Sequence, residues 1–130
     1  MRFLWFLLSI GLFGTSLSAE TPLSGPEFDA YTAGRTITYN ANGQEFGAET
    51  YLRRQRVRWS FLQGECQEGH WFERGDTICF VYEAVDGPQC WQFFMTQSGL
   101  RAEFTGDTGT ILFESPSDKD LSCPGPDVGM

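Results

Sequence analysis

Thr36-Ile37-Thr38-Tyr39-Asn40-Ala41-Asn42-Gly43-Gln44-Glu45-Phe46-Gly47-Ala48-Glu49-Thr50-Tyr51-Leu52-Arg53-Arg54-Gln55-Arg56-Val57-Arg58-Trp59-Ser60-Phe61 is the stretch on which the fold turns. Asn42-Gly43 is a strong hairpin signal, because a two-residue type I′ turn needs two left-handed residues and these adopt that conformation at little cost. Such a turn sets Ala41 opposite Gln44, Tyr39 opposite Phe46 and Ile37 opposite Ala48. A second turn centred on Arg53-Arg54 sets Thr50 opposite Val57, Ala48 opposite Trp59 and Phe46 opposite Phe61. Both hairpins then bury the same face of the middle strand. Glu49 falls outside, against Arg58, as a cross-strand charge pair worth a few tenths of a kcal/mol. A slip of one residue would turn the middle strand over.

The same pattern continues along the chain. Turn signals recur at Gln63-Gly64, Arg74-Gly75, Asp86-Gly87-Pro88, Ser98-Gly99 and Gly106-Asp107-Thr108-Gly109, with short aromatic and β-branched runs between them. Short strands at this spacing belong to an all-β meander. The turns pair Trp71 with Ile78, Ile78 with Trp91, Phe93 with Phe104 and Phe104 with Ile111. One face then collects Ile37, Tyr39, Phe46, Val57, Trp59, Phe61, Trp71, Ile78, Phe80, Trp91, Phe93, Phe104 and Phe113. About eight antiparallel strands with one apolar face make an up-and-down meander that curls into a small barrel or a strongly bent sheet. With inward positions so rich in Phe and Trp, the interior is expected to be filled, leaving at most a shallow pocket at the mouth.

A short helix over residues 25–33 precedes the strands. Ser24 and Glu27 form a capping-box pattern, Pro26 suits a first turn, and Gly34 supplies a stop. Leu23 and Phe28 stand where a hydrophobic staple would join them. At the other end, residues 115–130 hold Pro116, Pro124, Gly125 and Pro126 and are expected to be an irregular tail.

The first nineteen residues read as an address. Arg2 is followed by an uncharged apolar run from Phe3 to Gly14 and by small residues at Thr15, Ser16, Ser18 and Ala19, which is the order of a secretory signal peptide. Cleavage after Ser18 keeps small residues at both recognition positions. Cleavage after Ala19, taken here, tolerates Leu17 at one of them. The apolar run is about 15 residues, shorter than the ~20 that span a bilayer, so no stable membrane anchor is expected once the signal is removed. Export to the periplasm or beyond is therefore the expected localisation. The remainder, a domain over 20–114 and the tail, has 111 residues and a charge of −9, since Arg2 is the only charged side chain lost.

Export changes the meaning of the cysteines. Cys66, Cys79, Cys90 and Cys123 are an even set in a small exported chain, the usual sign of disulfides. The register leaves Cys79 opposite Cys90, favouring that bridge, with Cys66–Cys123 pinning the tail. Loop-closure entropy gives roughly 3 and 4 kcal/mol for the two. Cys66–Cys79 with Cys90–Cys123 stays open, because directly opposed cysteines suit a bridge only at some ladder positions. Zinc on Cys66, His70, Cys79 and Cys90 is the weaker reading, as no C-x2-C or H-x3-H spacing occurs.

The whole chain has 130 residues, 17 acidic against 9 basic side chains and a formal charge of −8. That balance argues against nucleic acid and anionic membranes as partners, since both are bound through dense Lys/Arg contacts. No nucleophile motif, zinc-protease motif or phosphate loop is present. His70 is the one histidine and is expected opposite Cys79, facing solvent. Glu65, Glu68, Glu73, Asp76 and Glu83 cluster around the fourth and fifth strands, where solvation of an exported surface explains them more simply than glycoside hydrolysis or Ca²⁺ binding. Arg53, Arg54, Arg56 and Arg58 concentrate basic charge, and Arg56 and Arg58 alternate with inward Val57 and Trp59. They are candidates for an anion or partner contact, against the plainer reading of a solvated strand balanced by Glu45 and Glu49.

From Trp71 through Ile78-Cys79-Phe80-Val81-Tyr82 to Cys90-Trp91-Gln92-Phe93, the chain resembles small exported β proteins of alphaproteobacteria, of the domain-of-unknown-function type. Gly34-Arg35-Thr36 and Cys123-Pro124-Gly125-Pro126 are similar to that group as well. The resemblance covers residues 59–94 and implies a periplasmic, disulfide-bonded β domain. It carries no activity. The expected function is thus a non-catalytic binding module, without cofactor or metal and monomeric, for a small molecule or an envelope component. An inhibitor or protein-interaction module is the alternative, and a small hydrolase built on His70 or a carboxylate pair is a second.

Overall fold

The computed structural model describes residues 20–61, 64–116, 119–121 and 123, together with Gly11 and Gly14. The expected signal segment, those two glycines apart, and tail residues 117, 118, 122 and 124–130 lie outside the described residues. Among the described residues, helix α1 (Gly25–Thr32) precedes eight strands. These are β1 (Thr36–Ala41), β2 (Gln44–Tyr51), β3 (Arg56–Phe61), β4 (Gln67–Arg74), β5 (Thr77–Tyr82), β6 (Gln89–Thr96), β7 (Gly99–Phe104) and β8 (Ile111–Glu114). Each pairs antiparallel with the next, and β8 returns to β1, so the sheet closes into an up-and-down barrel. Closure removes both sheet edges and leaves every strand one inward face.

The hairpin at Asn42-Gly43 forms as expected, with both residues at positive φ and Ala41 opposite Gln44. One step further the register departs from expectation. Asn40 faces Glu45 but Tyr39 faces Gly47, so Phe46 is an extra residue in β2, a β-bulge. The turn into β3 is also one residue longer than expected, a single turn over Arg53–Gln55 with Arg54 and Gln55 left-handed. Tyr51 therefore faces Val57, Glu49 faces Trp59 and Gly47 faces Phe61. The two one-residue departures cancel for β3, whose Val57, Trp59 and Phe61 point inward as expected. They do not cancel for β2. Tyr51 and Glu49 turn inward, and the expected outer pair of Glu49 with Arg58 does not exist.

The contact between Trp59 and Gly47 gives the physical reason. A Cβ built on Gly47 would lie 2.4 Å from the Trp59 ring, far inside van der Waals contact. The indole occupies the space that a side chain at position 47 would need. In the expected register, Ala48 and its methyl group would have met that ring.

Elsewhere the departures are even-numbered or local. Trp71 faces Phe80 and Phe93 faces Ala102, each two residues from the expected partner, which leaves the inward set unchanged. His70 faces Val81 rather than Cys79 and remains exposed on the outer face. Glu103, not Phe104, faces Ile111, and this odd shift turns β8 over. Leu112 points inward, whereas Phe113, expected in the core, is 42% exposed. The shift brings Glu114 to the barrel end, where its carboxylate accepts from the Leu100 N–H, the Tyr31 hydroxyl and the Arg35 guanidinium.

Helix α1 closes that end. Ser24 Oγ accepts from the Glu27 N–H, and the Glu27 carboxylate accepts from the Ser24 N–H, completing the capping box. The Gly25 N–H donates to Glu73 of β4. Phe28 is fully buried, with its ring 5.2 Å from Trp71, 5.5 Å from Tyr51 and 4.5 Å from Phe93, centroid to centroid. The helix is a plug, and Phe28 is its tip.

Both disulfides take the favoured pairing. Cys79 and Cys90 are directly opposed on β5 and β6, and Cys66 joins Cys123 across 57 residues. The alternative pairing and the zinc set are thereby corrected, since all four sulfurs are in disulfides.

Because Phe28 fills one end of the core, Phe28→Ala should lower the unfolding free energy by about 3–5 kcal/mol. Denaturant melts under non-oxidising and non-reducing conditions measure this; a loss under about 1 kcal/mol would show that the plug is not packed as described.

Candidate functional site

The barrel interior is divided in two. The end closed by α1 is packed solid around Phe28, Ile37, Val57, Trp71, Ile78 and Leu100. The other half, toward the Asn42-Gly43 turn and the β3–β4, β5–β6 and β7–β8 connections, encloses a cavity of about 280 Å³. The expectation of a filled interior is corrected by this half-barrel. Its inward rings stand around the cavity, where the bulge takes Phe46 out of the alternation and Ala102 of β7 presents only a methyl group.

The cavity wall is chiefly aromatic. Trp59 and Phe46 lie 5.9 Å apart on one side, centroid to centroid, and Trp91 and Phe104 lie 4.9 Å apart on another. Phe61 stands at the rim, 48% exposed. Gln67, Gln89, Thr108 and Thr110 add polar groups to the wall. Among the described residues, none that lines the cavity is Lys, Arg or His.

Four polar side chains among the lining residues form two buried pairs. The Tyr82 hydroxyl donates to Glu49 Oε1 at 2.7 Å, and the Tyr39 and Tyr51 hydroxyls are 2.7 Å apart. Glu49 is 1% exposed, and its second oxygen, Oε2, has no hydrogen-bond partner among the described residues. An ionised carboxylate is costly in such surroundings unless it is paired. Burial accordingly pushes the Glu49 carboxyl up to about 8, opposed by the Tyr82 hydrogen bond. Desolvation also raises the hydroxyls of Tyr39, Tyr51 and Tyr82, each with help from the Glu49 charge, so all three stay protonated through the neutral range. At neutral pH Glu49 is therefore mainly a carboxylic acid with one donor and no acceptor for it.

The residues singled out from sequence lie elsewhere. Arg53 and Arg54 sit in the turn at the plugged end, exposed, and Arg56 and Arg58 are on the outer face of β3. Arg58 pairs with Glu68 of β4 at 2.5 Å instead of Glu49. In the plainer reading of a balanced strand, Glu49 is thus replaced beside Arg58 by Glu68. Of the acidic cluster, Glu68 is engaged by Arg58, Glu73 by the helix N-terminus and Asp76 by Gln92. Those carboxylates do not converge, and His70 does not reach the cavity. Glu49 is the residue that sequence reasoning placed wrongly. Gly47 was the available signal: a strand glycine two residues before Glu49 and within reach of a Trp on the next strand.

Compared with known proteins, the chain matches no protein-family model, and neither a curated protein nor a solved structure matches it significantly. The site must be read from its own chemistry.

The raised Glu49 carboxyl makes a stability signature. The folded state holds this proton up to about pH 8, whereas the unfolded chain releases it near the ordinary value of 4.5. Between those values the unfolded state binds fewer protons, so stability falls as pH rises, and the loss levels off above the folded value. Glu49→Gln keeps an acceptor for Tyr82 and removes the titration. Melting curves from pH 5 to 9 should show the variant gaining on the wild type by a few kcal/mol, on the order set by the shift; parallel pH profiles would contradict a buried, raised Glu49.

Proposed function

We propose that this protein is a non-catalytic binding module, exported to the periplasm or secreted, that takes a small and largely apolar molecule into the open half of its barrel. The observation that carries the reading is the half-empty interior. A barrel of this size has inward side chains enough to fill itself, and this one is packed at one end only. The cavity of about 280 Å³ falls just under the usual range for small-molecule sites, ~300–1,000 Å³, so its occupant is small. Aromatic walls with a few polar groups suit an apolar body carrying one or two polar atoms. A plugged base and a closed sheet make the site rigid, which lowers the ordering cost of binding.

The two disulfides belong to an oxidising environment, which supports the exported setting. An interaction module is the second reading, favoured by Ile111 and Phe113, which share the outer face of β8 and are 43% and 42% exposed. The exposed arginines, Arg53, Arg54 and Arg56, remain candidates for an envelope or anionic partner on a face separate from the cavity.

2-Phenylethanol, one ring on a short polar chain, is a suitable probe. Titration calorimetry should detect saturable binding to the wild type. Ala102→Phe, which projects a ring into the cavity from β7, should weaken it at least tenfold while the fold survives. Absence of binding by the wild type, or equal binding by the variant, would overturn the small-molecule reading.

A further inference from the structure

Resting on the binding-module reading above, we infer that the cavity is built for an apolar amine, held as its ammonium ion by Glu49 Oε2 among aromatic rings. Three independent features converge on that chemistry. Glu49 is among the residues that line the cavity, and its buried Oε2 has no hydrogen-bond partner among the described residues while its other oxygen is held by Tyr82. Trp59, Trp91 and Phe104 line the cavity, and a desolvated cation gains most beside aromatic rings. The protein carries a formal charge of −8, which draws cations toward it and repels anions.

The groups that face Glu49 make the carboxylate selective. From β1 comes Tyr39, from its own strand Tyr51 and from β5 Tyr82. All are hydroxyls that stay neutral, and no cationic side chain among the described residues lines the cavity. Among the described residues nothing neutralises the carboxylate, so an incoming ammonium ion supplies the missing charge. The empty site avoids the bare charge by keeping Glu49 protonated. Binding then exchanges one cation for another: the ammonium enters, the Oε2–H bond breaks, the proton leaves to solvent, and the net charge of the cavity is unchanged. A neutral acceptor such as an alcohol would bind without this exchange, through the O–H of the carboxylic acid.

The test compares molecules of nearly equal shape: 2-phenylethylamine, 2-phenylethanol and 3-phenylpropionate, titrated by calorimetry between pH 6 and 8.5. The amine is cationic throughout. Its affinity should rise by up to about tenfold per pH unit below the Glu49 value, as release of one proton requires. That of the alcohol should stay level or fall. At pH 8 the amine should bind at least tenfold more tightly than the alcohol, with the carboxylate weakest. Runs in buffers of different ionisation heat should register about one proton released per amine bound at pH 6.5. Glu49→Gln should abolish the preference and the proton release but keep binding of the alcohol, which shows that the cavity is intact.

If the alcohol binds and the amine binds no better, at any pH, the amine inference fails while the binding-module reading stands. An amine preference that survives in Glu49→Gln would also overturn it. Failure of every probe to bind the wild type would remove both.

Discussion

The indole of Trp59 occupies the space over Gly47 where any other residue would place a side chain. That contact holds β2 in the register that turns Glu49 inward, and the properties of the cavity follow from it. Were β2 one residue back, Glu49 would lie in water, and Phe46 and Ala48 would line an ordinary apolar core. The Phe46 bulge is what makes the inward register compatible with the Asn42-Gly43 turn. A local irregularity near the rim thus converts a surface carboxylate into a buried one, the kind of use bulges serve beside functional sites.

The two ends of the barrel differ in how they are packed. At the plugged end, Phe28 is enclosed by rings, and Glu114 gathers Tyr31, Arg35 and the Leu100 N–H into one cluster. Arg35 also lies over the Tyr31 ring at 4.5 Å. These contacts carry the packing density of a normal interior. The open end, free of that duty, can leave space. An enclosed polar group at that end costs stability, and the buried acid there is tolerable because the other end is well packed.

Much of this was legible in the sequence, and the failures have physical causes. The Asn42-Gly43 hairpin, the Ser24–Glu27 capping box, the antiparallel meander and the Cys79–Cys90 pairing all express short-range rules that act within a few residues or one strand pair. Even-numbered register errors, as at Trp71 and Phe93, did no harm because a strand repeats every two residues. The odd errors in β2 and β8 did matter. Each places a glutamate where hydrophobic patterning would never put one: Glu49 within the cavity and Glu114 at the plugged end. Patterning assumes that carboxylates seek water, and it fails where tertiary partners, here Tyr82 for one and Tyr31 with Arg35 for the other, hold them inside. The filled interior was misjudged for a related reason, since ring count says nothing about whether rings meet across a barrel.

The anchoring of the plug bears on how the chain folds. Tyr31 and Arg35 lie in and just after α1, while their shared partner Glu114 lies in β8, 83 and 79 residues further on. Closure of β1 on β8 waits for the same strand. The helix can form early, but it has nothing complete to seal until nearly the whole domain has been made. Assembly is therefore governed by contacts of long sequence separation, which are slow to find. A chain wired in this way cannot complete its barrel until β8 itself has been made.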